Sequence, residues 1–303
     1  MPTRVILDTD IGTDVDDCLA LSLVLCSPEL QLEGVTCVYG DVALRTRIVL
    51  KLLRLRGRAE VPVFAGVGKP LLGRRPVYWA GHEGKGLLGP DDASLTPSSE
   101  HAVDFLVRTV MENPGQIHLI AIGPLTNVAL AFLREPRLAP SLAHLTIMGG
   151  AIRGPGRFDL PYREHNIACD PEAAHVVLSS GAPTTLVPLD VTTRVRIRPE
   201  GVARIRAAGT PFHEAVAGQV ESYPPFGRRG FTHVHDPLAV ATVILPDLVR
   251  TESLHLDVET GGEHTAGMTL VRTPTDDAPA NARVALDVAV ERFEEVLIER
   301  LRA

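Results

Sequence analysis

Hydrophobic and polar positions follow two rhythms along the chain. Short apolar runs, of the kind carried by a strand covered on both faces, fall at Arg4 to Asp8, Gln31 to Val38, Val61 to Ala65, Ile117 to Ile122, Leu145 to Met148 and Thr185 to Leu189. Between them lie helix-like segments at Asp17 to Cys26, Val42 to Arg56, Ala102 to Met111, Leu125 to Leu133, Pro171 to Ser179 and Pro237 to Leu245. Pro124 and Pro171 stand where a first helical turn accepts a residue lacking an N–H. Later apolar runs at Leu254 to Val258, Met268 to Val271 and Val284 to Val290 predict further strands, before a last helix from Glu291 to Leu301. Strand and helix in alternation imply βαβ units: an α/β fold with a mainly parallel, Rossmann-like central sheet flanked by helices. No repeat and no linker divides the sequence, which predicts one domain over residues 1–303.

Composition narrows the picture. A hydrophobic fraction of 45% over 303 residues supplies a large core, and a net charge of -7 argues against a nucleic-acid partner. The apolar segments are too short and too often charged to span a bilayer, which predicts no membrane partner. Cys18, Cys26, Cys37 and Cys169 show no CxxC pair or finger spacing; Cys18, Cys26 and Cys37 lie in predicted helix or strand, and reduced core thiols there and a cytoplasmic location are the expectation. The first strand starts at once, so no signal peptide is expected.

Candidate chemistry enters with DTDIGTDVDD, which puts Asp8, Asp10, Asp14, Asp16 and Asp17 at the carboxyl end of the first strand. Carboxylates so close repel one another and take up protons unless a partner offsets the charge. Open α/β sheets bind ligands at that end of their strands. Capping of the following helix would by itself account for Asp16 or Asp17, and capping of the helix at Pro237 for Asp236. Two loops are rich in glycine and polar residues: 66–89, with Trp79 and His82, and 149–169, with REHNIACD.

Taken together, DTDIGTDVDD, GPLTN at 123–127, MGG at 148–150, EHN at 164–166 with DPEAA at 170–174, and HDP at 235–237 resemble the calcium-dependent, inosine-uridine preferring nucleoside hydrolases over nearly the whole chain. The resemblance implies hydrolysis of the N-glycosidic bond of ribonucleosides through an oxocarbenium-like transition state. It implies one Ca2+ held by Asp10, Asp17, Asp236 and the carbonyl of Ile122, with Asp10 as general base toward a calcium-bound water. On the same grounds Asp16, Glu164 and Asn166 would bind ribose hydroxyls, Met148 would line the sugar and His235 would protonate the departing base. Asp41, in place of a common Asn, joins the substrate-binding set, and His82 would cover the site from the first loop, with Trp79 and Tyr223 as further candidates. A homodimer or homotetramer is implied as well. The chain departs from the common pattern at Asp14 and Val15, which read as an insertion, at Asp41, and at Gly156, where an Asn usually meets the ribose.

Two rival readings remain at this level. DTDIG resembles the DxD loop of haloacid-dehalogenase-type phosphatases, although Gly12 is unusual there and the stretch is overcrowded with acids for a phosphate. A non-catalytic, calcium-dependent nucleoside or sugar binder is the other, against which stands the intact Asp10.

Overall fold

The computed structural model describes residues 1–154 and 156–303. Among these, eleven strands form in chain order: β1 (Thr3–Thr9), β2 (Leu30–Cys37), β3 (Val63–Ala65), β4 (Ile117–Ala121), β5 (His144–Met148), β6 (Thr184–Val187), β7 (Arg196–Ile197), β8 (Thr232–His233), β9 (Val249–Val258), β10 (Thr269–Arg272) and β11 (Ala282–Val288). Nine make one sheet in the order β10-β9-β11-β6-β5-β4-β1-β2-β3, and β7 pairs β8 in a small ribbon. Six of the eight pairings in the large sheet are parallel; only the β9–β10 and β9–β11 pairings run antiparallel.

Strand alternation separates two cores. Val5 and Leu7 face one, shared with helices Asp16–Leu25, Val42–Arg56 and His235–Ile244, while Ile6 faces the other, shared with helices Ala102–Glu112, Thr126–Arg134 and Pro171–Leu178. The chain leaves β1 toward β2 and β3 on one side, then returns to lay β4, β5 and β6 on the other. That reversal opens a crevice between the carboxyl ends of β1 and β4, the usual ligand position in such sheets.

The first six strands and the helices Asp16–Leu25, Val42–Arg56, Ala102–Glu112, Thr126–Arg134 and Pro171–Leu178 lie within a residue or two of the sequence expectation, whereas the short helices Leu138–Ser141 and His165–Cys169 have no counterpart in it. The pattern gave no element between Val191 and His235. There the chain forms helices Pro199–Arg206, Pro211–Ser222 and Pro224–Arg229, each opened by proline at its first position. Two capping expectations need correction. Val15 is the residue before the first helix, so Asp16 and Asp17 stand inside its first turn, and Asp236 likewise follows His235 inside the helix His235–Ile244. No helix is long and apolar enough to cross a membrane among the described residues. All four cysteines are buried and free.

Candidate active site

Strand ends build the site. Asp10 follows β1, Ile122 follows β4, Met148 ends β5 and Leu189 follows β6; with Asp16, Asp17, Glu164, His165, Asn166, His235 and Asp236 they line a cavity of about 570 Å³. This falls in the usual range of small-ligand sites, about 300–1,000 Å³. Of the residues singled out from sequence, Asp10, Asp14, Asp16, Asp17, Ile122, Met148, Glu164, Asn166, His235 and Asp236 come together here.

The acids are buried. Asp10, Asp16 and Asp236 are 4% exposed and Asp17 is 3% exposed. Carboxylate oxygens of Asp16, Asp17 and Asp236 lie within 4.8 Å of one another. Burial and mutual repulsion push all four acids above the usual carboxylate range, Asp16 to about 8. Among the described residues the one basic side chain paired with them is Arg45, whose Nη2 lies 3.8 Å from Asp10 Oδ2. Even with the charge of His165 acting on Asp10, two cations against four carboxylates leave a deficit of positive charge that a divalent cation would fill. Carboxylates plus the Ile122 carbonyl form an all-oxygen set, which suits a hard cation rather than zinc or copper. Asn166 Nδ2 donates to that carbonyl at 2.8 Å, which leaves its second lone pair for a cation. The residues present therefore fit such an ion.

Arg45 itself gave no signal in the sequence, being one of several arginines in an ordinary helix. It is fully buried and donates to the carbonyls of Tyr39 and Ile11 at 2.5 and 2.8 Å and to Thr13 Oγ1 at 3.0 Å. It thereby pins the aspartate loop onto the second helix, and the ring of Trp79 lies 5.1 Å from its guanidinium carbon.

The motifs around the acids act mostly as clamps. A Cβ on Gly123 would stand 2.9 Å from Asp10 N and 3.0 Å from Asp10 Oδ1, so only glycine lets β4's end approach the aspartate this closely. Asn127 Nδ2 donates to Asp8 Oδ1 at 2.8 Å and its Oδ1 accepts from Val67 N at 3.0 Å. Thr126 donates to Asp170 Oδ2 at 2.6 Å, and Asp170 caps the helix Pro171–Leu178 through Ala173 N. Asp8, on the Ile6 side of β1, also accepts from Thr36 at 2.5 Å; it is a tie between strands and does not line the cavity.

Glu164 caps the short helix His165–Cys169. Its carboxylate accepts from Asn166 N at 2.7 Å and from Ile167 N and Gly150 N at 3.0 Å, which leaves little of it for a ribose hydroxyl. Asn166 spends Nδ2 on Ile122 and Met148 carbonyls, so Oδ1 is its atom left for a hydroxyl. His235 Nδ1 lies 2.7 Å from Thr192 Oγ1; burial and the neighbouring His233 lower its pKa to about 3, so the ring is uncharged at neutral pH.

Four expectations fall outside this cavity, Trp79 among them, whose ring lies against Arg45. Asp41 is exposed and its Oδ1 accepts from Leu44 N at 2.9 Å, so it caps the helix Val42–Arg56 instead of reaching the sugar pocket. His82 Nε2 bonds the Thr13 carbonyl at 2.9 Å and lines a smaller adjoining cavity of about 130 Å³ with Asp14 and Tyr223. Tyr223 donates to Asp14 Oδ1 at 2.5 Å, which gives the inserted Asp14 a partner at the boundary of both cavities. Sequence reasoning passed over His165. It lines the large cavity between the edges of Tyr39 and Tyr78, with Cys169 Sγ 3.6 Å from Nε2. Burial opposes its positive charge, but Cys169 and the charges of Asp10 and Glu164 outweigh it and raise the pKa to about 10.

Comparison with known proteins agrees with this geometry. Residues 5–295 match the family model described as inosine-uridine preferring nucleoside hydrolase. The chain is 38% identical to the pyrimidine-specific ribonucleoside hydrolase RihA of Salmonella arizonae, over 100% of this chain and 99% of that protein. Its fold is similar to that of the plant nucleoside hydrolase PpNRh1, with a TM-score of 0.90 and 31% identity over 100% of both chains. A purine-preferring ribonucleoside hydrolase from Gardnerella vaginalis gives a TM-score of 0.85 at 29% identity, covering 99% of this chain and 98% of the other.

Proposed function

The chain belongs to the inosine-uridine preferring nucleoside hydrolase family and is an N-glycosidase of ribonucleosides, and we propose that it works through the buried acids at the end of β1 with one calcium ion. The observation that carries this reading is the set of four buried carboxylates around one cavity with Arg45 as their basic partner. Asp10, Asp17, Asp236 and the Ile122 carbonyl would hold the ion, and Asp16, within 4.8 Å of the cluster, stands next to it. When bound, calcium lowers the pKa of a water and neutralises the crowded acids.

The chain's own residues then supply the rest. The Arg45 guanidinium lies 3.8 Å from Asp10 Oδ2, and Asp10 would take the proton of a water that attacks C1′. Asp16 and the Oδ1 of Asn166 accept from the vicinal ribose hydroxyls. Acids ringing the sugar favour the positive charge that develops as the C–N bond breaks. His235, uncharged, offers a ring N–H to the departing base; when Thr192 donates to Nδ1, that hydrogen is on Nε2.

The test is a panel of ribonucleosides and 2′-deoxynucleosides assayed for free sugar and base, with and without a calcium chelator. Release of ribose that stops on chelation and returns with calcium is the expected result. Phosphate release from nucleotides with magnesium, and no glycosidase activity, would favour the phosphatase alternative.

A further inference from the structure

Resting on the nucleoside reading above, we propose that the same cavity also takes ribonucleoside 5′-monophosphates, with the side chains of Arg163 and His165 receiving the phosphate. Arg163 and His165 line the same cavity as Asp10, Asp14, Asp16, Asp17 and Asp236, on the stretch of chain from Pro161 to Ala168.

Arg163 is available. It has no carboxylate within salt-bridge distance among the described residues, and its one hydrogen bond is a 3.4 Å contact to the Ala266 carbonyl. Glu164, its neighbour in sequence, does not neutralise it, because that carboxylate is turned onto the N–H groups of Gly150, Asn166 and Ile167. A guanidinium left facing a ligand cavity is suited to a phosphate, which it can bind through paired N–H groups. His165 adds a donor beside it, oriented by Tyr39, Tyr78 and Cys169.

The stereochemistry of ribose links the acids to Arg163. Its 2′ and 3′ hydroxyls share one face of the ring, and C5′ and the base leave from the other face at opposite ends. Anchoring the diol at the acids sends base and C5′ toward different walls. With the base toward His235, a wall carrying Arg163 suits an anionic C5′ substituent.

In the reaction, water oxygen bonds to C1′, the C1′–N bond breaks, and its electron pair and a water proton pass to the base. The phosphate ester is untouched, so ribose 5-phosphate is the product. The experiment compares kcat/KM for the four common ribonucleosides and their 5′-monophosphates, with calcium, in the wild type, Arg163→Gln and Arg163→Lys. Ribose 5-phosphate is quantified directly, since a contaminating phosphatase would yield ribose and inorganic phosphate instead. We expect ribose 5-phosphate from the wild type and a nucleotide-to-nucleoside ratio of kcat/KM that falls about 10- to 100-fold in Arg163→Gln, the worth of one to two kcal-scale charge-assisted bonds. Arg163→Lys should recover part of it. Nucleosides hydrolysed with monophosphates rejected, or a ratio indifferent to Arg163, would overturn this inference and leave the nucleoside reading intact. Failure of both substrate classes would overturn both.

Discussion

Gly123→Ala tests the claim that the end of β4 sets the position of Asp10, the proposed general base. The added methyl would stand 2.9 Å from Asp10 N, 2.9 Å from Val38 Cγ1 and 3.0 Å from Asp10 Oδ1. Ordinary contacts of this kind need roughly 3.5–4.0 Å, so the loop must retreat by about half an ångström or more. Overpacking in a tight site costs about 1–3 kcal/mol of stability. A shift approaching 1 Å at a reacting group costs up to about 10²-fold in rate, so we expect kcat/KM to fall about 10- to 100-fold. Gly218→Ala, in the helix Pro211–Ser222 with nothing within 4 Å of the new methyl, controls for the substitution itself and should leave activity unchanged. The assay pairs steady-state kinetics with calcium content and thermal unfolding. Gly123→Ala with wild-type kcat/KM and full calcium would refute the argument, because Asp10 would then tolerate displacement or the close contact would not exist.

Further expectations follow from the same geometry. Asp10→Asn should fold, keep measurable calcium and lose roughly 10²- to 10⁴-fold in kcat, the usual worth of a general base; near wild-type turnover by the calcium-loaded variant would remove Asp10 from that role. 2′-Deoxynucleosides should be poorer substrates by up to about 10⁴-fold, because Asp16 and Asn166 are left without a hydroxyl; comparable kcat/KM for the two sugars would contradict the sugar assignment. His235→Ala should slow inosine hydrolysis far more than that of p-nitrophenyl riboside, whose leaving group needs no proton, and equal losses would make His235 structural. Away from the site, His118 packs beside His144, bonds Thr146 at 2.9 Å, and has its pKa lowered to about 3, first by burial and then by His144. Its stabilising contribution is complete above pH 6.5 and is lost as the pH falls toward 3, where the unfolded chain takes the proton first. Denaturation of the wild type and His118→Gln between pH 7 and pH 4 should show the wild type losing about 3 kcal/mol more; parallel curves would contradict this.

The sequence by itself determined the alternation of strands and helices, and it placed the acidic cluster at a strand end, because both are written in local periodicity. Order and approximate spacing of DTD, GPLTN, EHN, DPEAA and HDP were enough to identify the family. Tertiary structure decided what each acid does. Asp8 and Asp10 are two residues apart, yet Asp8 ties Thr36 and Asn127 while Asp10 lines the cavity, because the chain leaves the strand between them. Asp41 looked like part of the sugar pocket, but the backbone places its carboxylate on Leu44 N, a contact that any helix start offers an aspartate. Arg45 and His165 were silent in the sequence, since one sits in an ordinary helix and the other in a loop motif already assigned to its neighbours. Their surroundings come from partners distant in sequence: Arg45 reaches Ile11 from 34 positions away, and His165 packs on the rings of Tyr39 and Tyr78. Local pattern records the period of an element, and only the crossing at the β1–β4 crevice brings such distant side chains to one point.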